Sequence, residues 1–432
     1  MTGPGDSRLL VEENHDLPLV RVGVALRTGG ADDAPEQDGL TNFTTELMVR
    51  GAGGRSRAAL DDAFDSLGTQ LSIQADYDGA HLELTVVRDR LEPAVALLGD
   101  VLLRPDFPGD EVGKLRRELL AQLDELREDD VSLARRFLGR RLFGGHPYGK
   151  TLTGTEATIA GLDARAARAW HARAVRGPGA LIGFAGAVSA GEALALASRH
   201  LALEAGGGPF GASHGAPAVR TGTRFTIVDK PERTQSQILF AHVAPSWRDP
   251  AFEPLRVATH TFGGTFTSRL MDEVRAKRGL SYGASARVGY GRGPKGFVVG
   301  VFPSLEQTAE TIALVRGLLD EVARDGLPAT ALEVGRDNLR QSFACSLATP
   351  EDRLDLRLGA ALAGLPDDYV ERFGERIGAV TAAQADAALR RCLRPADLEI
   401  VVVATAAELR PRLEAAGLLA GATVEVVPYD RD

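Results

Sequence analysis

Cysteine is nearly missing from this chain: Cys345 and Cys392 are the only two in 432 residues, far apart and in helix-like contexts. That excludes a disulfide-stapled scaffold or a cysteine-rich metal cluster and predicts two reduced, buried thiols. Long apolar runs are lacking too, so no segment is expected to span a bilayer. Basic residues are in deficit, with a formal net charge of −9, which argues against a nucleic-acid partner and gives no attraction to an anionic membrane surface. The opening MTGPGDSRLLVEEN has no basic segment followed by an apolar stretch. A cytoplasmic protein is therefore expected, or a periplasmic one whose signal peptide has been trimmed. Histidine is sparse, with eight in all and none paired with another at three- to five-residue spacing beside an acid. His242 and His260 come nearest to a pair in the second half, and His81 opens a strand-like run. Each reads as a lone surface or core histidine rather than a metal ligand. The abundance of Ala, Gly and Arg over Lys points, by association, to a bacterial source with a GC-rich genome.

What is present is ample for more than one core. The length exceeds what a single core usually supports, and 44% apolar with 25% charged residues is an ordinary globular balance. The stretch Glu204–Gly222, EAGGGPFGASHGAPAVRTG, is dense in Gly, Pro and Ala without an apolar period and reads as a linker. It divides the chain into residues 1–205, a linker 206–222, and residues 223–432. The halves resemble one another in order. Each opens with two strand-like runs, RLLVEEN and LVRVGVALRTG in the first, RFTIVDK and SQILFAHVAP in the second. A helix with small residues follows in each, DGLTNFTTELMVRG and PLRVATHTFGGTFTSRLMDEVRAKRG. Each closes on an amphipathic helix, a basic turn with Pro and a buried strand. One duplicated α+β module per half, an antiparallel-rich sheet packed by helices, is the economical account.

Between these markers the apolar period is helical. Leu91–Leu103 carries Leu and Val at helical spacing before Pro105 stops it, with Pro93 near the start where a helix tolerates it. Val112, Leu115, Leu119, Leu123 and Leu126 form one stripe, and Ile312, Val315, Leu318, Leu319 and Val322 another. Residues 69–76 and 81–88 alternate as a half-buried antiparallel pair would.

Three local patterns make a resemblance specific: GLTNFTTELMVRG, then LLRPDF ahead of an Arg- and Glu-rich helix, then HPYGKTLTGTEATI. With the repeated modules they resemble the mitochondrial-processing-peptidase-like branch of the insulinase/pitrilysin-type, or inverted-zincin, metallopeptidases. The resemblance implies a clam-like half of a chamber built from two homologous modules. In active relatives the first pattern carries His-x-x-Glu-His, two zinc ligands four residues apart with the general base between them, and a later helix supplies a Glu. The matching positions here are Asn42, Thr45 and Glu46, with the third ligand at Gln122. These cannot build a zinc site, so no metal is expected in this chain. Glu46 stands four residues before Arg50, which suggests a helical ion pair instead. His146 and His171 match recurrent family positions that are not ligands. Where active relatives often carry Asn-Ala in an edge strand that pairs with substrate, this chain has Ser72-Ile73.

The second half keeps what the family uses opposite the zinc. The run EVRAKRGLSYGA gives Arg275 on a helix and Tyr282 just past its end, after the Gly-rich FGGTFTSRL. Gly279 stands where a left-handed C-cap would turn the chain. The resemblance implies that Tyr282 stabilises an oxyanion and that Arg275 holds a substrate carbonyl or carboxylate. Together these features suit the zinc-less, non-catalytic subunit of a heterodimeric peptidase whose zinc-bearing partner is homologous, acting on peptides or small unfolded proteins. The alternative is a purely structural subunit, like the peptidase-like core proteins of respiratory complexes. A self-sufficient peptidase with an unusual metal fits least.

Overall fold

The computed structural model describes residues 9–176, 180–201 and 214–431. Part of the linker segment, 206–213, lies outside the described residues; residues 214–222 carry neither helix nor strand. The first sheet holds β1 (Leu9–Glu13), β2 (Leu19–Leu26), β3 (Ser72–Ala75), β4 (Ala80–Val87) and β5 (Ala180–Gly186), ordered β1-β5-β2-β4-β3. The second holds β6 (Arg224–Asp229), β7 (Gln237–Val243), β8 (Ser281–Val288), β9 (Gly296–Pro303), β10 (Glu399–Ala404) and β11 (Thr423–Pro428), ordered β8-β9-β7-β10-β6-β11. With β11 set aside the two orders coincide strand for strand. Each contains one matching parallel pair, β1 with β5 and β6 with β10; the other matched neighbours are antiparallel, and β11 adds a further parallel partner to β6. The duplicated α+β module expected from the sequence is therefore the architecture.

Helices cover the sheets on both faces. The principal ones are α1 (Leu40–Met48), α2 (Gly109–Glu128), α3 (Asp130–Phe143), α4 (Phe252–Gly263), α5 (Pro350–Leu362) and α6 (Ala382–Cys392). Leu40, Phe43, Leu47 and Met48 of α1 enter the same core as Val20, Val22 and Val24 of β2 and the stripe Val112, Leu115, Leu119 and Leu123 of α2. In the second sheet, α4 packs on β8 and on α6. The helix at Leu91–Leu103 and the buried stripe Ile312–Val322 on Thr308–Asp325 follow their apolar periods.

The compact units do not follow the linear division at the linker. One unit comprises residues 1–123, 150–213 and 345–370, the other 124–149, 214–344 and 371–432. Helix α5, from the second half of the chain, lays Leu354, Leu358 and Leu362 on Leu10, Ala25, Leu181 and Ala185 of the first sheet. Helix α3, from the first half, lays Leu133, Phe137 and Leu138 on Val228, Leu239 and Val401 of the second. Each such leucine contributes about 1.5–3 kcal/mol by leaving water. A sheet covered on both faces has no polar side to alternate with, which is why β10 is buried along its whole length. The approach of α5 is close: a Cβ on Gly183 would meet Leu354 at 2.4 Å.

Both cysteines are free, but only Cys392 is buried. Cys345 is exposed, a correction to the two buried thiols expected, because it ends a helix with few buried residues. Among the described residues no helix is long and apolar enough to cross a membrane.

Candidate functional site

Helix α1 is firmly seated. Gly39 precedes it at φ 89°, where an added Cβ would strike the backbone of Gly154 at 2.7 Å, so glycine is required on both counts. Asp33, buried, accepts from the Thr41 N–H at 3.1 Å and the Thr41 hydroxyl at 2.6 Å. Trp170 Nε1 donates to the same hydroxyl oxygen at 2.9 Å. Burial raises the Asp33 carboxyl to about 6 against the opposing pull of Thr41 and Lys150. The HPYGKTLTGTEATI segment belongs to this support: Lys150 Nζ donates to the Ala31 and Asp33 carbonyls, and the Thr158 hydroxyl to the Asp38 carbonyl.

What α1 presents does not fit zinc. Thr45 is buried and its hydroxyl donates to the Asn42 carbonyl at 2.9 Å, inside the helix. Asn42 is partly buried, and Gln122 is exposed on α2. Glu46 is the sole carboxylate of the four, and burial raises its pKa, with Glu118 adding to the rise. One oxygen donor without imidazole or thiolate makes no zinc site, and among the described residues no group of three His, Cys, Asp or Glu is placed to hold a metal. The expected Glu46–Arg50 ion pair is corrected to a longer-range attraction, by which Arg50 pulls the Glu46 pKa down without bonding it. Helix α1 ends at Met48, so Arg50 is no longer one turn above Glu46. Its guanidinium instead grips Glu118 of α2 with two bonds, 3.1 and 2.6 Å, with Glu111 at 3.6 Å.

The second sheet's Arg and Tyr do come together. Residues Asp272–Ala276 form a π-helical turn, a wide turn frequent at functional sites. Gly279 at φ 63° ends it, with the Leu280 N–H bonding back to the Val274 carbonyl at 2.9 Å. The chain then enters β8, where a bulge between Ser281 and Ala284 leaves Tyr282 78% exposed. Arg275 Cζ lies 4.6 Å from the Tyr282 ring centroid and 5.7 Å from that of Phe266. Phe266 is itself 78% exposed and was not singled out from the sequence, although it sits within FGGTFTSRL. Its signal was an aromatic residue among glycines and threonines, where no apolar period called for one. Among the described residues the Arg275 guanidinium has no hydrogen bond or ion pair, and the Tyr282 hydroxyl has no hydrogen-bond partner. The stacking orients the guanidinium while leaving its donors unused.

The histidines are accounted for elsewhere. His242 stacks on Phe297 at 5.0 Å, and burial lowers its pKa to about 4. His260 pairs with Asn338 at 2.8 Å, His146 with the Gly215 carbonyl at 2.8 Å and His171 with the Leu102 carbonyl at 2.7 Å.

Residues 8–156 match the profile of the insulinase family, peptidase family M16, and residues 161–339 that of the peptidase M16 inactive domain. An uncharacterized zinc protease of Mycobacterium bovis is 25% identical over 398 residues, covering 91% of this chain and 90% of the relative. Subunit 1 of the human mitochondrial cytochrome b-c1 complex is 25% identical over 262 residues, 59% of this chain and 53% of that protein. Among solved structures, the peptidase M16 inactive domain from Pseudomonas fluorescens superposes with a TM-score of 0.84 at 26% identity, covering 91% of this chain and 94% of that one. With two family profiles spanning most of its length and a relative aligned nearly end to end, the chain belongs to the insulinase-type peptidase superfamily.

Proposed function

We propose that this protein is the zinc-less subunit of a two-chain peptidase, supplying Arg275 and Tyr282 to a peptide held at the zinc of a homologous partner. The observation that carries this reading is the Arg275–Tyr282 pair, stacked at 4.6 Å with its polar groups uncommitted. A half-buried arginine that serves only the fold is ordinarily paired, as Arg50 is. Hydration of the peptide bond belongs to the partner's metal. This chain's part is to donate one hydrogen bond from Tyr282 to the developing oxyanion and to hold a substrate oxygen with the planar fork of Arg275. The set Asn42, Thr45, Glu46 and Gln122 supports the absence of a zinc of its own.

A second reading, a structural subunit without a catalytic part, is supported by the similarity to subunit 1 of the cytochrome b-c1 complex. One experiment separates the two. The isolated chain is expected to hold no stoichiometric zinc, to cleave no peptide, and to form a tight pair with a family member carrying intact His-x-x-Glu-His. Cleavage by that pair should depend on Tyr282 and Arg275. Equal rates with both residues replaced, in a pair that still assembles, would leave only the structural reading.

A further inference from the structure

Between α3 and strands β7, β8 and β9 of the second sheet lies a cavity of about 140 Å³. Arg135, Arg287, Gln237 and Ser285 line it around an apolar floor that includes Leu239 and Phe302, and no acidic residue does. Neither guanidinium has a hydrogen bond or ion pair among the described residues. Asp129 feels Arg135 only at a distance, its carboxylate being engaged by the Ser132 N–H at 2.9 Å. Burial, and Arg135 beside it, push the Arg287 guanidinium below its ordinary range. Two like charges lining one small cavity repel each other, and an anion held there would relieve that repulsion.

We propose that this cavity binds the free C-terminal carboxylate of an extended peptide. Two planar forks lining one small cavity suit a two-oxygen anion, and the apolar floor suits the side chain that accompanies it. The volume admits one residue and no folded ligand. β8 is the edge strand of its sheet, a surface on which an extended chain can lie. Along it Tyr282, Ser285 and Arg287 are exposed while Ser281, Ala284 and Ala286 are buried. The bulge therefore sets Tyr282 on the face that carries Arg287. Phe302 lines the cavity and also abuts Gly283, where an added Cβ would meet its ring at 2.8 Å, so the surface between the two ends is continuous. At about 3.3 Å per residue, Tyr282 and Arg287 stand roughly 15 Å apart. A peptide whose reacting carbonyl meets Tyr282 thus ends at Arg287 when it continues for four or five residues. This assignment of direction and length rests on the peptidase reading above; the carboxylate site itself does not.

The test uses the isolated full chain, with no partner present. An uncharged octapeptide of alanine, serine and leucine, labelled at its N-terminus, is titrated by fluorescence anisotropy as the free acid and as the C-terminal amide. A third peptide carries one internal glutamate and an amide end. The free acid is expected to bind about tenfold or more tighter than either amide, as charge-assisted pairing implies. Arg287→Gln and Arg135→Gln should each erase that difference with Tm unchanged or raised. Equal binding of acid and amide, no binding of the free acid at millimolar concentration, or an unaltered preference in both variants overturns the site. Tight binding of the glutamate peptide overturns its assignment to a chain end. Failure of Tyr282 to matter in the reconstituted pair leaves these outcomes untouched, so the two readings fail separately.

Discussion

The two sheets share one strand order, yet they treat charge in opposite ways at the same place. In the first, the groove beside β2, β3 and β4 is lined by Arg21, Glu83, Ser72 and Asp65. Arg21 is neutralised there by Glu83 at 2.5 Å and by Asp355 of α5 at 2.9 Å. In the second, the groove beside β7, β8 and β9 holds Arg135 and Arg287 with no acid. The surroundings of α1 and of the Arg/Tyr pair divide the same way. Around α1 the nearby arginine is locked to Glu118; beyond α4, Arg275 rests on aromatic rings with its donors free. In the first unit these two arginines are closed into ion pairs. In the second, Arg275, Arg135 and Arg287 have no ion pair among the described residues.

The sharpest way to break this contrast is kinetic. In the reconstituted pair, Tyr282→Phe keeps the ring but removes one donor, and should slow turnover by roughly 10²–10³-fold. Arg275→Lys should fail as well, since an ammonium cannot reproduce a two-pronged contact. Asn42→Ala and Gln122→Ala, at the positions matched to the family's metal ligands, should leave turnover within about twofold if those positions hold no metal. Assembly is checked by size exclusion in each case. A wild-type rate for Tyr282→Phe would erase the distinction between the two units.

Within the first unit, Arg50→Ala should cost about 1–2 kcal/mol in urea unfolding, because Glu118 loses both of its short bonds while Lys114 still holds the buried Glu111 at 2.6 Å. Glu46→Ala should cost under about 1 kcal/mol, since burial already disfavours its charge.

The sequence carried the fold because the repeated strand-helix order and the apolar periods are local signals. The helix at 91–103 and the opening strands of each half are legible residue by residue. The exchange of α3 and α5 was not. Each helix shows an apolar stripe, and a stripe says that a face is buried without saying on which sheet. For the same reason Arg50 was paired in sequence with Glu46, its neighbour four positions away. Glu118, its actual partner, is 68 positions distant. At the site, Arg275 and Tyr282 were picked out by the resemblance of EVRAKRGLSYGA and FGGTFTSRL to the family, and Gly279 by its place just past a helix. The π-helical turn and the sharing of one cavity by Arg135 and Arg287 depend on tertiary packing and leave no local trace; Phe266 left only an aromatic out of place in a Gly- and Thr-rich run.

Acid and base also act oppositely on the two units. Asp33 in the first has its carboxyl raised from 3.8 to about 6. The folded chain keeps a proton there that the unfolded chain releases, so this contribution to stability is full below about pH 4 and is lost as pH rises through 6. His242 in the second is lowered from 6.5 to about 4. Its contribution is full above pH 6.5 and is lost as pH falls through 4. Each amounts to roughly 2–3 kcal/mol. Asp33→Asn should therefore remove the loss between pH 4 and 6 on the alkaline side, and His242→Phe the loss on the acid side, both followed as Tm against pH. Parallel profiles for the two variants would contradict the assignment.

The smallest effect bears most directly on the paired grooves. Arg21 and Arg287 occupy strands of matching sheets, but one is a member of an ion network and the other faces a second cation. Arg21→Gln removes charge-assisted bonds to Glu83 and Asp355 and leaves two carboxylates side by side. Since Asp355 and Glu83 are partly exposed, with side chains 44% and 31% accessible, the cost should be about 1 kcal/mol rather than the several expected of a sealed pair. Arg287→Gln removes a repulsion and should stabilise the ligand-free chain by about 0.5 kcal/mol at low salt. Salt is the discriminating variable. Screening weakens attraction and repulsion alike, so raising ionic strength from about 0.02 to 0.5 M should shrink both differences toward zero from opposite sides. Urea unfolding of the two variants at both salt concentrations measures this. If Arg287→Gln destabilises, its guanidinium is already satisfied within the fold and the second groove is as closed as the first.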